Sequence, residues 1–171
     1  MIKHRSLLLR SNRFLGSSLV DKGLISVEDL DVANQKLLEN IQANNIQQSS
    51  ILGILVNELR VLAEAQLHEY TLENHNVGMV DLHFVDLEKA GDPELDLSLC
   101  WSTWTLPFDH IENFHFLATA YYLSNPVVKQ WEEMLEGDVI WYVTSLSSIS
   151  ESLQDLEAAA AERECEEAAK A

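Results

Sequence analysis

The chain has 171 residues, enough for one domain or two small ones around a buried core. Its 11 Lys and Arg stand against 28 Asp and Glu, a net charge of −17 that argues against a nucleic-acid backbone or an anionic membrane surface as main partner. Hydrophobic residues make up 47%, too many for a disordered acidic tail. The charge is uneven: residues 1–60 carry seven basic and six acidic side chains, so the rest of the chain holds a net −18.

Cys100 and Cys165 lie far apart, one in an aromatic stretch and one in a Glu/Ala-rich tail, with no Cys-x-x-Cys or Cys/His ligand spacing. The start, residues 1–13, has three consecutive leucines interrupted by Arg10 and Arg13, which is not the long apolar run of a signal peptide. No segment approaches the roughly 18 apolar residues of a membrane span. A soluble protein of a reducing compartment is expected.

In chain order, a basic segment (1–12) with Lys3, Arg5 and Arg10 comes first, and a repeat follows. Leu15-Gly16 and Leu52-Gly53 are 37 residues apart, and Leu30 and Leu67 each follow fifteen residues on. Each unit reads as a short helix, a tight connection and a longer helix, giving four helices in residues 11–75. Gly23 stands where a helix can end in a left-handed residue. Ser26, with Asp29 three residues on, is a candidate N-cap, and Leu30, Ala33, Leu37 and Ile41 continue one face. Arg60 occupies the second unit's glycine position, so a different turn is expected there. Residues 38–50, rich in Asn, Gln and Ser, link the units.

Met79–Leu82 reads as a short strand closing a helical subdomain (13–87), and Glu88–Asp96, with Gly91-Asp92-Pro93, lies in an acidic linker (88–97). The small α/β subdomain (98–157) then changes period. Trp104, Leu106 and Phe108 alternate with polar residues as in a half-buried strand; Asp109–Asn113 is a hairpin loop, and Phe114–Thr119 is the second strand. Asn125 is the expected cap of a helix with Pro126 at its first position, ending at Gly137. Val139–Val143 is a strand, and a last helix starts near Ser145 and runs into an Ala/Glu-rich tail (158–171). The expected fold is α+β: a four-helix N-terminal subdomain of two repeated pairs, then a hairpin, a helix, a strand and a C-terminal helix.

Little in this chain suggests catalysis. None of the six glycines precedes a P-loop lysine, and neither Gly-x-Gly-x-x-Gly nor Gly-x-Ser-x-Gly occurs. His110 and His115, with Asp109, flank the hairpin and could meet as a two-His, one-carboxylate site, although a loop histidine and a strand-face histidine explain them as well. His68 and His75 are seven residues apart, too far for an i, i+4 metal pair, and His4 and His83 have no partner in view. Adjacent acids such as Glu132-Glu133 do not face one another on a helix and read as a solvated face. The aromatic group from Trp101 to Tyr142 includes only Lys129 as a basic neighbour, which suits core packing rather than nucleic-acid stacking.

The stretch Leu15-Gly16-x-x-Leu19-Val20-x-x-Gly23-Leu24-Ile25-x-x-x-x-Leu30-x-x-Ala33 resembles the repeated motif in the N-terminal domain of type II secretion and type IV pilus assembly ATPases. The second Leu52-Gly53 unit, Val80-Asp81-Leu82, Thr105-Leu106-Pro107, Phe116–Ala120 with Pro126, and Val143-Thr144-Ser145 follow in the family's order, over about residues 13–157. The resemblance implies a non-catalytic, cytoplasmic, bacterial docking domain without cofactor or metal. It implies a protein partner, such as a cytoplasmic part of an inner-membrane platform, in an envelope-assembly, secretion or glycan-export system. Here it would be free-standing, without the ATPase.

In one branch of that family the paired motifs bind cyclic di-GMP, using an arginine before each Leu-Gly, motif leucines and glycines, and a glutamine near each end. The matching candidates are Arg13, Leu15, Gly16, Gly23, Leu52, Gly53 and Arg60. The arginine columns themselves hold Phe14 and Ile51, and the glutamine columns hold Leu37 and Asn74. A dianionic ligand needs guanidinium and N–H donors, so these departures weigh against it. A degenerate cyclic di-GMP sensor is the alternative reading.

Overall fold

The computed structural model describes residues 1–87 and 94–171. The expected Gly91-Asp92-Pro93 turn lies outside the described residues.

Helix α1 (Arg5–Asp21) runs through the segment read as a basic arm, because Leu8, Leu15 and Leu19 form one continuous buried stripe with Ser11 and Asn12 between them. It ends in a Schellman turn: the Gly23 N–H donates to Val20 O and the Leu24 N–H to Leu19 O, both at 2.9 Å, with Gly23 at φ +69°. The Ser26 hydroxyl accepts the Asp29 N–H at 3.1 Å and caps α2 (Val27–Gln42) as expected. A Cβ on Gly16 would lie 2.5 Å from Cδ1 of Leu30, so this glycine lets α1 and α2 approach closely.

A 3₁₀ turn (Ile46–Gln48) leads to α3 (Ile51–Gly53), which continues as a π-helical turn over Ile54–Glu58, and then to α4 (Glu64–Asn74). The second unit's turn is built differently, as expected, but not at Arg60 itself. The Arg60 φ of +54° is the same left-handed conformation as Gly23, 37 residues earlier. A side chain there costs roughly 1 kcal/mol that glycine avoids. What does differ is the closure: the Val61 N–H reaches Leu55 O, one residue further back than in the first unit, because the π turn adds a residue to the ring.

The C-terminal elements are β1 (Gly78–Met79), a 3₁₀ turn (Leu82–Phe84), α5 (Leu97–Thr103), β2 (Thr105–Ile111), β3 (Phe114–Thr119), α6 (Asn125–Met134), β4 (Asp138–Val143) and α7 (Leu146–Lys170). The sheet order is β1-β4-β3-β2, with an antiparallel β2/β3 hairpin and parallel β3/β4 and β1/β4 pairs. The strand expected at 79–82 is therefore shorter and earlier. The Val80 N–H still bonds Val143 O, but the Asp81 carboxylate already caps the 3₁₀ turn.

Three local expectations change. Residues 97–103 are helical, and Trp104 is the left-handed residue that ends the helix (φ +48°), so the strand starts at Thr105. The hairpin loop shrinks to Glu112-Asn113, with Glu112 at φ +53°, because β2 continues to Ile111 past a bulge between Pro107 and Asp109. Ser124, not Asn125, is the N-cap of α6, and its hydroxyl donates to Ser11 O on α1 rather than capping its own helix.

One apolar core spans both parts: Leu8, Leu15, Ile51 and Leu55 join Trp101, Leu106, Trp131 and Leu153 in a single buried cluster. Helix α1 packs against α3 and also against α5 and α6. The Ser145 hydroxyl accepts the Ser148 N–H and starts α7, whose inner face buries Ile149 and Leu153; residues 161–170 are exposed.

Candidate functional site

The Leu-Gly motifs sit differently in the two units. Phe14-Leu15-Gly16 lies mid-helix in α1, with Leu15 fully buried, whereas Ile51-Leu52-Gly53 opens α3. At the start of α3 two backbone donors are already used: Asn12 Oδ1 accepts the Ile51 N–H at 2.7 Å, and the Ser50 hydroxyl accepts the Gly53 N–H at 3.0 Å. The same Asn12 Oδ1 accepts the Tyr121 phenol at 2.7 Å, and the Ser50 hydroxyl is 2.7 Å from that phenol oxygen. Burial drives the Tyr121 pKa up despite these bonds, so the phenol stays neutral. Leu15 and Leu52 are core residues; Gly16 is a packing contact and Gly23 a turn; Arg13 and Arg60 are exposed.

The basic N-terminus is partly spoken for. Lys3 Nζ and His4 Nε2 approach Asp96 Oδ2 at 2.7 and 2.9 Å, while Asp96 Oδ1 accepts the N–H groups of Ser98 and Leu99 and caps α5. Partial burial resists ionisation of Asp96, but the Lys3 and His4 contacts outweigh it and lower its pKa from 3.8 to about 2. His83 also has partners, contrary to the sequence reading: Nδ1 lies 2.7 Å from Asp81 and Nε2 lies 2.6 Å from Glu151 on α7. The Glu151 hydrogen bond, then that of Asp81, raises its pKa.

His110 and His115 do meet, as a parallel stack with ring centroids 4.2 Å apart and an angle of 4°. His115 Nε2 is 2.9 Å from Glu136 O, and Asp109 turns to its neighbour's N–H at 2.8 Å. Among the described residues no three His, Cys, Asp or Glu side chains are grouped to hold a metal. None of their helices is long and apolar enough to cross a membrane.

A cleft of about 890 Å³ opens between the end of α2, α3, α5 and the start of α7. Trp101 and Trp104 form part of its wall, with Gly53 and Asn57 on one side and Ser150 and Gln154 on the other. Among the described residues its charged lining is Glu58 and Glu64, with no Lys, Arg or His. Glu64 Oε1 accepts the Leu146 N–H at 2.6 Å and so covers the N-terminus of α7. Sequence reading missed this site. Its one signal in the sequence is the Asn/Gln-rich stretch 38–50, which also links the two repeat units.

This architecture is found in solved structures. A structure of MshE with cyclic di-GMP is 19% identical, with a TM-score of 0.50, over 82% of this chain and 96% of that one. The N-terminal domain of XpsE, a type II secretion ATPase, is 16% identical, also with a TM-score of 0.50, over 81% of this chain and 90% of that one. The fold is that of these two domains. At such identities the likeness carries the fold and not the ligand. No family model matches the sequence, and no curated protein matches it.

Proposed function

We propose that the chain is a non-enzymatic docking module that connects or regulates an envelope-assembly, secretion or glycan-export system through a protein partner, such as a cytoplasmic part of an inner-membrane platform. The observation that carries this reading is the fold shared with the N-terminal domain of XpsE over nearly that whole domain. Capture of the full chain from source-cell membranes by site-specific crosslinking tests it. Recovery of an envelope-assembly component is the expected result, and its absence across crosslinking sites on every face would overturn the reading.

The alternative is a degenerate cyclic di-GMP sensor, and the likeness to MshE is what favours it. Against it, the Ile51 and Gly53 N–H groups of the second motif are already taken by Asn12 and Ser50. The arginine columns hold Phe14, half exposed, and Ile51, fully buried. A dianion would then rely on Arg13 and Arg60 alone. Calorimetric titration with cyclic di-GMP decides it, and no heat at high micromolar ligand removes the sensor reading.

A further inference from the structure

The cleft beside the second motif carries a more specific assignment, which rests on the docking reading. Four ligand classes can be weighed against its walls. An anion finds no cation among the described lining residues, and the adjacent helix starts are closed: the Leu146 N–H is held by Glu64, the Ser148 N–H by Ser145, and the Gly53 N–H by Ser50. An apolar helix or lipid chain finds a lining dominated by carboxamides, hydroxyls and carboxylates. A sugar seeks an open aromatic face, but Trp101 and Trp104 are only 1% and 4% exposed. They pack edge-on against each other, and Trp104 stacks on Tyr121.

An extended peptide fits what remains. A carboxamide offers one carbonyl and one NH₂, the same donor and acceptor pair as a peptide group. Asn40, Gln47, Gln48, Asn57 and Gln154 present five of them around one cleft. Glu58 and Glu64 supply negative charge with no Lys or Arg among the described lining residues; Glu58 lies 3.1 Å from the exposed Lys36, and Glu64 Oε1, which accepts the Leu146 N–H, lies 3.9 Å from His68. Trp104 in the cleft wall points the same way. Trp104 is almost wholly buried, and its indole N–H has no hydrogen-bond partner among the described residues. A buried unpaired donor is costly, and a backbone carbonyl would satisfy it. We propose that this cleft receives an extended, Lys- or Arg-bearing peptide segment of the partner protein.

The test pans a random dodecapeptide phage library on the full chain, then titrates synthetic copies of the selected peptides by calorimetry. The expected peptides are enriched in Lys and Arg. Asn57→Arg, an exposed substitution that adds a cation, should weaken them by about tenfold or more, and Trp104→Phe by a similar factor. Glu64→Gln keeps a carbonyl for the Leu146 N–H and should weaken them by about three- to tenfold. Selection of no peptide, of peptides without basic enrichment, or of peptides that bind Asn57→Arg as well as wild type would overturn the assignment. Crosslinking separates the two levels. If Asn57→Arg still captures the envelope partner, the docking reading stands and the cleft assignment falls; if wild type captures none, the docking reading falls.

Discussion

The Tyr121 phenol donates a 2.7 Å hydrogen bond to Oδ1 of Asn12, 109 residues earlier in the chain. This contact is completely buried and joins the N-terminal helix to the segment that follows β3. Asn12 also accepts the Ile51 N–H and donates to Leu8 O at 2.8 Å, so one side chain ties α1, α3 and the sheet together. Tyr121→Phe removes one donor and leaves Asn12 with its other bonds, for an expected loss of about 1–2 kcal/mol. Asn12→Ala strands the Ile51 N–H and leaves the phenol with Ser50 alone, and should cost about 2–4 kcal/mol. Urea unfolding of the two variants checks the order. Equal losses would mean that the network is not centred on Asn12.

The left-handed pair Gly23 and Arg60 predicts effects of opposite sign. Nothing lies within 4 Å of a Cβ built on Gly23, so Gly23→Ala meets only the backbone penalty of φ +69°, about 1 kcal/mol of destabilisation. Arg60→Gly relieves the same penalty at φ +54° and should stabilise the fold by about 0.5–1 kcal/mol. Thermal unfolding measured side by side reads both signs.

Two other glycines separate a yielding contact from a rigid one. At Gly16 a new methyl meets the end of the Leu30 side chain, which can rotate, so Gly16→Ala should cost about 1–2 kcal/mol. At Gly137 a Cβ would sit 2.3 Å from the Asn113 carbonyl oxygen, with φ at +125°. Backbone cannot step aside as a side-chain methyl can, so Gly137→Ala should lose about 3 kcal/mol or more. Denaturant midpoints of the two variants give the comparison, and a Gly137→Ala loss no larger than that of Gly16→Ala would contradict it.

Asp96 sets an acid limit. Its folded pKa of about 2 lies below its ordinary 3.8, so its contribution is fully present above about pH 4 and is lost as pH falls towards 2. With Lys3 largely exposed, about 1–2 kcal/mol is expected after screening. Asp96→Asn should flatten the stability profile over that window while leaving the pH 7 fold intact, as followed by far-ultraviolet circular dichroism.

His83 acts at the other end. Its pKa is raised by Glu151 and Asp81, so the clip that holds the Leu82–Phe84 turn to α7 is complete below about pH 6.5. It is lost as pH rises through the raised value. Hydrogen exchange of the Phe84 and Val85 amides should quicken beyond its intrinsic rise above neutral pH in wild type, and His83→Ala should remove that pH dependence.

Much of the backbone was legible because its signals are local. The Ser26 cap, the Gly23 turn, the Leu15, Leu19, Leu37 and Ile41 stripes, and the β-branched run of β4 all act within a few residues. Helix α5 was not legible: five of its seven residues are buried, so no amphipathic period marks it. The Trp104 turn was hidden for a related reason, since a left-handed tryptophan carries no glycine signal.

The 37-residue repeat, the α+β order, the acidic C-terminal two-thirds and the lack of a phosphate-binding loop are all readable in the sequence, because each is a property of composition or short-range spacing. Long-range packing settles that Gly78–Met79 pairs with Tyr142–Val143, that Lys3 and His4 reach Asp96, and that Asn12 serves both Ile51 and Tyr121. The cleft walled by Asn57, Trp104 and Gln154 is of the same kind. These contacts join residues from about 40 to more than 100 positions apart. Their partners are chosen by how the helices and the sheet pack around one core, and no pattern within a single segment encodes that choice.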